Sequence, residues 1–103
     1  MARKKYNKLV RDLIPGIIEA SGKKCKWHTA QNRSMPRYLG KKLVEEAKEF
    51  QKNPSNDELA DIMEVIYTIE QTMGLNRYTK IGLKAYNRGT FEKHIVLDWV
   101  DDE

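Results

Sequence analysis

The sequence predicts a mainly α-helical protein of the four-helix-bundle type, and it allows a small two-stranded β element beside the helices. Two long segments repeat apolar residues at spacings of three and four, which is the period of an amphipathic helix. Glycine, proline and asparagine interrupt the chain where those patterns begin and end. The 103 residues suffice for one small domain and are too few for two, so we expect residues 1–103 to form a single domain.

The first two predicted helices are recognised by their ends. Residues 13–21 form a short helix, with Pro15 in its first turn and Gly22 after its end. The second helix opens at Ser34 and runs to about Lys52. One face of this second helix carries an apolar stripe, which consists of Leu39, Leu43, Ala47 and Phe50.

The third and fourth predicted helices follow a short turn. Asn56 is expected to cap the third helix, and Gly74 ends it. Asn76 is expected to cap the fourth helix, which runs to about Arg88, and Gly89 ends it. The third helix is apolar over a wide arc and is therefore predicted to be the central one. The residues of this arc are Leu59, Ile62, Met63, Val65, Ile66, Ile69 and Met73.

Two further segments have the alternating pattern of β-strands. Lys23–Thr29 places Cys25 and Trp27 on one side. Phe91–Val100 alternates apolar residues with others over most of its length. We expect the two segments to pair with each other as the small β element.

Two carboxylate pairs lie on either side of the predicted turn at residues 53–56. Glu46 and Glu49 are three residues apart on the second helix, and Glu58 and Asp61 are three apart on the third. Residues three apart share one face of a helix. In an antiparallel hairpin that reverses between residues 53 and 54, Glu49 is level with Glu58 and Glu46 with Asp61. The pattern therefore predicts two layers of two carboxylates.

Such a cluster favours a divalent cation, because four close carboxylates raise one another's pKa values. A single E-x-x-E on a helix usually marks a solvated face, but two pairs in register are less common. Residues 45–70 contain eight acidic residues and only Lys48 and Lys52 as basic ones, which are too few to neutralise the cluster. Both histidines lie outside the hairpin, so an all-oxygen Mg²⁺ or Mn²⁺ site is expected rather than iron.

The composition also indicates the cellular location and the oligomeric state that we expect of the protein. Cys25 is the single cysteine and cannot form an internal disulfide, as is typical of proteins in the reducing cytosol. We expect Cys25 to pack as a small apolar residue rather than to act as a nucleophile. No signal peptide and no run of about 18 apolar residues is present, so we expect a cytoplasmic protein without a membrane segment. A domain of this size has a thin core, which makes oligomerisation plausible.

The chain resembles the all-α NTP pyrophosphohydrolase superfamily, and more closely its MazG-like and phosphoribosyl-ATP pyrophosphohydrolase-like members. The mark of the superfamily is E-x-x-E followed by E-x-x-D on neighbouring helices, and the two carboxylate pairs match it. The closer resemblance covers nearly the whole chain. It is carried by Asn7-Lys8-Leu9-Val10-Arg11-Asp12 with Ile14-Pro15, by Glu19-Ala20-Ser21-Gly22-Lys23, by the segment Glu58 to Val65, and by Arg88-Gly89 before Phe91.

The resemblance implies a Mg²⁺-dependent enzyme that cleaves a nucleoside triphosphate between the α and β phosphates. The products are a nucleoside monophosphate and pyrophosphate. Glu46, Glu49, Glu58 and Asp61 would be the metal ligands. One of them, or Glu45, would accept a proton from the attacking water; Glu45, Glu46 and Glu49 are the catalytic candidates. Glu64, one helical turn beyond Asp61, is a candidate for an additional ligand.

Basic residues would hold the phosphates. In the fourth helix the resemblance assigns this role to Lys84, Asn87 and Arg88. Arg88 could bind a phosphate through two hydrogen bonds, and Lys84 could act as a point charge. Lys8 and Arg11 are interleaved with apolar residues near the start of the chain, and the resemblance suggests that they pack near the site without defining their role.

Two other functions remain open from the sequence. One is phosphoribosyl-ATP hydrolysis in histidine synthesis, which uses the same metal chemistry. The other is a non-catalytic dimeric module that binds nucleotide or nucleic acid through its basic flanks. The acidic hairpin argues against nucleic acid, since phosphates and carboxylates repel each other. The wide apolar arc of the third helix and the resemblance both predict a homodimer or a dimer of dimers.

Overall fold

All regular structure that the computed structural model shows in residues 2–101, the part of the chain it describes, is helical. The predicted mainly α fold is therefore confirmed. A short 3₁₀ turn at Asn32–Ser34 precedes the second helix. The four α-helices are α1 (Ile14–Ala20), α2 (Met35–Lys52), α3 (Asn56–Met73) and α4 (Tyr78–Arg88). None of them is long and apolar enough to cross a membrane.

Helices α2 and α3 form an antiparallel hairpin, as the sequence predicts. The N-cap of α3 is Ser55, whose Oγ accepts a hydrogen bond from the backbone N–H of Glu58 at 3.2 Å. The prediction of Asn56 as the cap is wrong by one residue, because Asn56 is already the first helical residue. Gly74 ends α3 with φ +66°, a left-handed conformation that glycine adopts without strain.

The small core lies between α2 and α3. Leu39 is 1% exposed and Val65 7% exposed, and these two are the fully buried apolar residues of the described chain. The predicted stripe of α2 is only partly covered, because Ala47 is exposed. Several residues of the apolar arc on α3 also face solvent, including Leu59 at 50% exposure and Met63 at 39%. The hairpin thus buries one side of α3 and leaves another apolar side open.

The single chain does not close into a four-helix bundle. Among residues 2–101, extensive helix–helix packing occurs only between α2 and α3. The radius of gyration is 18.5 Å, and the principal extents are 59 × 31 × 30 Å. A compact domain of this length has a radius of gyration of about 13 Å. The chain is therefore extended for its length, and α4 does not pack extensively against the hairpin.

The prediction of a two-stranded β element is wrong for the described chain. Residues 23–29 and 91–100 are irregular, and neither segment pairs as a strand. Alternation of side chains indicates a half-buried strand only if a sheet face is covered, and an isolated pair of strands is marginal in water. Here Leu97 and Trp99 are 76% and 78% exposed, and Trp27 is 62% exposed. No core reaches these side chains to favour a paired conformation.

Candidate metal centre

Three of the predicted metal ligands converge on one side of the hairpin. One carboxylate oxygen from each of Glu46, Glu58 and Asp61 lies within 4.8 Å of the other two. Glu46 comes from α2 and is only 9% exposed, whereas Glu58 and Asp61 come from the first two turns of α3 and are half-buried. The antiparallel packing of α2 against α3 creates this convergence by bringing residues equally far from the turn level with one another.

Glu49 does not belong to this group of three, although it lies close enough to act on it. The pKa of Glu58 is raised above its usual value, first by partial desolvation and then by the charges of Asp61, Glu49 and Glu46. Glu49 itself is exposed. The carboxylates therefore repel one another as the sequence predicts, and a cation would relieve that repulsion.

Lys42 partly supplies the missing positive charge, and sequence reasoning overlooked it. Its Nζ lies 3.3 Å from Oε1 of Glu46 and 3.6 Å from Oε1 of Glu45, and its side chain is 16% exposed. The signal was available in the sequence, because Lys42 precedes Glu46 by four residues and therefore shares its helix face. Lys42 lies three residues before the acidic segment 45–70.

The N-terminal segment brings two more cations to the carboxylates. Nζ of Lys8 donates a hydrogen bond to Oε1 of Glu45 at 2.8 Å, and Nη2 of Arg11 donates one to Oδ1 of Asp61 at 2.7 Å. The pKa of Glu45 lies below its usual value, chiefly because of the hydrogen bond from Lys8. Partial desolvation acts in the opposite direction, and the charge of Lys42 lowers the pKa further. Glu45 is thus held ionised as an ion-pair partner, which makes it a weaker base.

The N-terminal segment and the hairpin together line an open cleft of about 570 Å³. The volume falls in the range of pockets that bind small molecules, roughly 300–1,000 Å³. Glu64, the candidate additional ligand, lines the same cleft as Glu46 and Asp61. The wall contains acidic, basic and apolar side chains, with Leu9 and Val10 between the two N-terminal cations. Such a lining suits a ligand that has both a charged and an apolar part.

The predicted phosphate-binding residues of the fourth helix lie elsewhere. Lys84, Asn87 and Arg88 are all exposed on α4, and none of them lines the cleft. Within one chain, α4 does not pack against the hairpin extensively enough to bring these residues to the carboxylates. Their role in substrate binding therefore stays a prediction that depends on a second copy of the chain.

The donor set fits a hard divalent cation. The converging group consists of carboxylates only, with neither His nor Cys. Mg²⁺ and Mn²⁺ prefer oxygen ligands, and Mg²⁺ commonly binds through a few carboxylates together with water and substrate phosphates. Arg11 already places a positive charge 2.7 Å from Oδ1 of Asp61, a member of this group. Glu46, Glu58 and Asp61 are thus suitable ligands for either ion.

Comparison with known proteins yields no match: no protein-family model, no curated protein and no solved structure is significantly similar to this chain. The resemblance to the all-α NTP pyrophosphohydrolases therefore rests on the motif residues themselves. The activity that it implies is a proposal.

Proposed function

We propose that this protein is a Mg²⁺-dependent nucleoside triphosphate pyrophosphohydrolase that clears or controls nucleotides. The observation that carries the proposal is the convergence of Glu46, Glu58 and Asp61 from neighbouring helices. Glu46 and Asp61 also line a cleft whose wall contains cationic side chains. Glu46 is only 9% exposed, and burying a carboxylate costs free energy unless a cation balances its charge, which Lys42 does in part. The order of the motifs along the chain supports the same reaction class.

The reaction breaks the bond between the α phosphorus and the bridging oxygen to the β phosphate. Water adds to the α phosphorus, pyrophosphate leaves, and one proton of the water passes to a carboxylate. Glu46, Glu58 and Asp61 would hold the cation, with Glu49 beside them. When bound, Mg²⁺ neutralises the polyphosphate and stabilises the charge of the transition state.

Glu49 is the best proton acceptor among the catalytic candidates. Glu45 is engaged by Lys8 and Lys42, which lowers its basicity. Glu46 would be occupied as a ligand and also lies 3.3 Å from Lys42. Glu49 is exposed and makes no ion pair with any described residue, so its carboxylate is free to accept a hydrogen bond from water.

We infer that the working unit is a homodimer or a dimer of dimers. The accessible surface of the chain is 10,081 Å², whereas a compact monomer of 12.1 kDa exposes about 6,000 Å². Obligate interfaces bury about 1,000–2,500 Å² per partner, so a dimer interface would account for part of this excess of about 4,000 Å² per chain. The open side of α3, with Leu59 and Met63, offers the apolar surface for such an interface.

A second copy would also complete the site. Lys84 and Arg88 are exposed on α4, which does not pack extensively against its own hairpin, and a partner's acidic hairpin would attract them. This arrangement reconciles the phosphate-binding role that the motifs imply for α4 with its distance from the cleft in one chain. It also gives the exposed apolar residues of α4, such as Ile81 at 60% exposure, a surface to pack against.

The test is the release of pyrophosphate from a panel of ribo- and deoxyribonucleoside triphosphates, with Mg²⁺ and with a chelator. We expect equal amounts of nucleoside monophosphate and pyrophosphate, and no reaction in the chelator. Phosphoribosyl-ATP belongs in the panel, and a strong preference for it would assign the protein to histidine synthesis. Binding of nucleotides without hydrolysis of any of them would refute the proposal in favour of a binding module.

A further inference from the structure

The two ion pairs of the N-terminal segment are unusual in where they lie. Lys8 and Arg11 are separated by 37 and 50 residues from the carboxylates that they bind, and both carboxylates are in or beside the candidate metal centre. Between them, Leu9 and Val10 are half-buried and line the same cleft. The segment is therefore held across the hairpin at the site itself.

Stability alone does not explain these pairs. The side chains of Lys8 and Arg11 are 39% and 54% exposed, and ion pairs this open contribute little to folding. Of the two, Arg11 has the closer relation to the site, because its partner Asp61 is one of the three converging carboxylates. A guanidinium at Oδ1 of Asp61 competes with a divalent cation for that carboxylate, because the two positive charges repel each other.

A displaced Arg11 would remain at the cleft, because Leu9, Val10 and Ile14 of the same segment still line its wall. The guanidinium would then face the space in which a metal-bound polyphosphate has to lie. Arginine binds phosphate through two parallel hydrogen bonds, and its fixed geometry favours that ligand over a single carboxylate oxygen.

We propose that Arg11 is an exchanging cation of this site: it pairs with Asp61 when no divalent ion is bound, and it binds the substrate polyphosphate once the ion holds Asp61. This inference rests on the proposed function and adds the recognition of the phosphate chain by the N-terminal segment. Lys8 precedes Leu9 and Val10, and its ion pair with Glu45 helps to hold the N-terminal segment at the site.

The exchange has a signature that a structural role lacks, because the two ligands respond in opposite directions. In Arg11→Gln, the competing charge at Asp61 is gone, so Mn²⁺ alone should bind about 3- to 10-fold more tightly. Tripolyphosphate added to the Mn²⁺-saturated protein should bind at least about tenfold more weakly, since the guanidinium–phosphate contact is lost. A residue that merely holds the segment in place would weaken both or neither.

The measurements are titrations by calorimetry and by the paramagnetic resonance of free Mn²⁺, with helicity checked by circular dichroism. The matched control is Arg3→Gln, which removes the same charge from the same segment at an exposed residue without an ion pair in residues 2–101. Arg11→Lys keeps the positive charge but loses the planar guanidinium that makes two parallel hydrogen bonds to a phosphate. This variant should have the wild-type affinity for Mn²⁺ and only part of the wild-type affinity for tripolyphosphate.

The outcomes separate this inference from the proposed function. If the wild-type protein binds Mn²⁺ and hydrolyses a nucleoside triphosphate, but Arg11→Gln changes neither affinity or weakens both, the exchange is refuted and the enzyme assignment stands. If the wild-type protein binds no Mn²⁺, both are refuted. Opposite shifts in Arg11→Gln, with no shift in Arg3→Gln, establish the exchange.

Discussion

Replacing Glu46 by Gln should abolish the metal-dependent activity while leaving the fold intact. Glu46 is the most buried of the three converging carboxylates, at 9% exposure, and Gln has nearly the same shape. The substitution therefore removes one charge and one metal ligand without creating a cavity. A divalent ion contributes several kcal/mol to transition-state stabilisation, so losing a ligand should lower kcat/KM on the order of 100-fold or more.

The effect on the stability of the metal-free protein should be small, because opposing charge interactions disappear together. An oxygen of Glu46 lies within 4.8 Å of one from Asp61 and of one from Glu58, and each of these two repulsions is about 1 kcal/mol at the dielectric of water. The attraction to Lys42 at 3.3 Å has a similar size, about 1 kcal/mol, and opposite sign. The free energy of unfolding should thus change by no more than about 1 kcal/mol, and Tm by about 4–8 °C at most.

The assay is Mg²⁺-dependent pyrophosphate release, together with thermal unfolding followed by circular dichroism. Glu19→Gln is the matched control, because Glu19 is an exposed carboxylate on α1 without an ion pair in the described chain. We expect full activity from the control. Wild-type turnover in Glu46→Gln would refute the metal-site assignment, whereas unfolding of Glu46→Gln would show that the carboxylate is a structural group.

Three further predictions follow from the fold and from the proposed dimer. Lys84→Ala or Arg88→Ala should weaken nucleotide binding and leave Mn²⁺ affinity unchanged; equal nucleotide affinity in both variants would show that α4 does not reach a site. Leu39→Ala should reduce the free energy of unfolding by about 2–5 kcal/mol, because Leu39 is 1% exposed in a very small core. Light scattering at micromolar concentration should give twice the 12.1 kDa chain mass or a larger even multiple, and Tm should fall on dilution; a fully active monomer would contradict the dimer.

The sequence predicts the helices well because their signals are local. Apolar spacing and the residues at the ends, such as Pro15 and Gly74, are properties of a few consecutive residues. The hairpin follows in the same way from the short turn between α2 and α3. The carboxylate convergence then needs only helix geometry, which is why three of the four expected ligands lie together.

Features that depend on tertiary contacts are less accessible from the sequence. The strand pattern of residues 91–100 would require a covered sheet face, and the described chain offers none. The ion pair between Arg11 and Asp61 spans 50 residues, so no local spacing indicates it. Lys42 is the opposite case, because its spacing of four residues from Glu46 on one helix is a local signal.

The most direct test of the metal centre is a crystal structure of the protein with Mn²⁺ and a nucleoside triphosphate analogue whose α–β bond resists hydrolysis. Anomalous scattering then locates the manganese independently of any fold assumption. We predict a manganese peak coordinated by Glu46, Glu58 and Asp61, with the analogue's phosphates completing the coordination. Crystals in which the analogue is bound and no manganese lies at these three carboxylates would contradict the account.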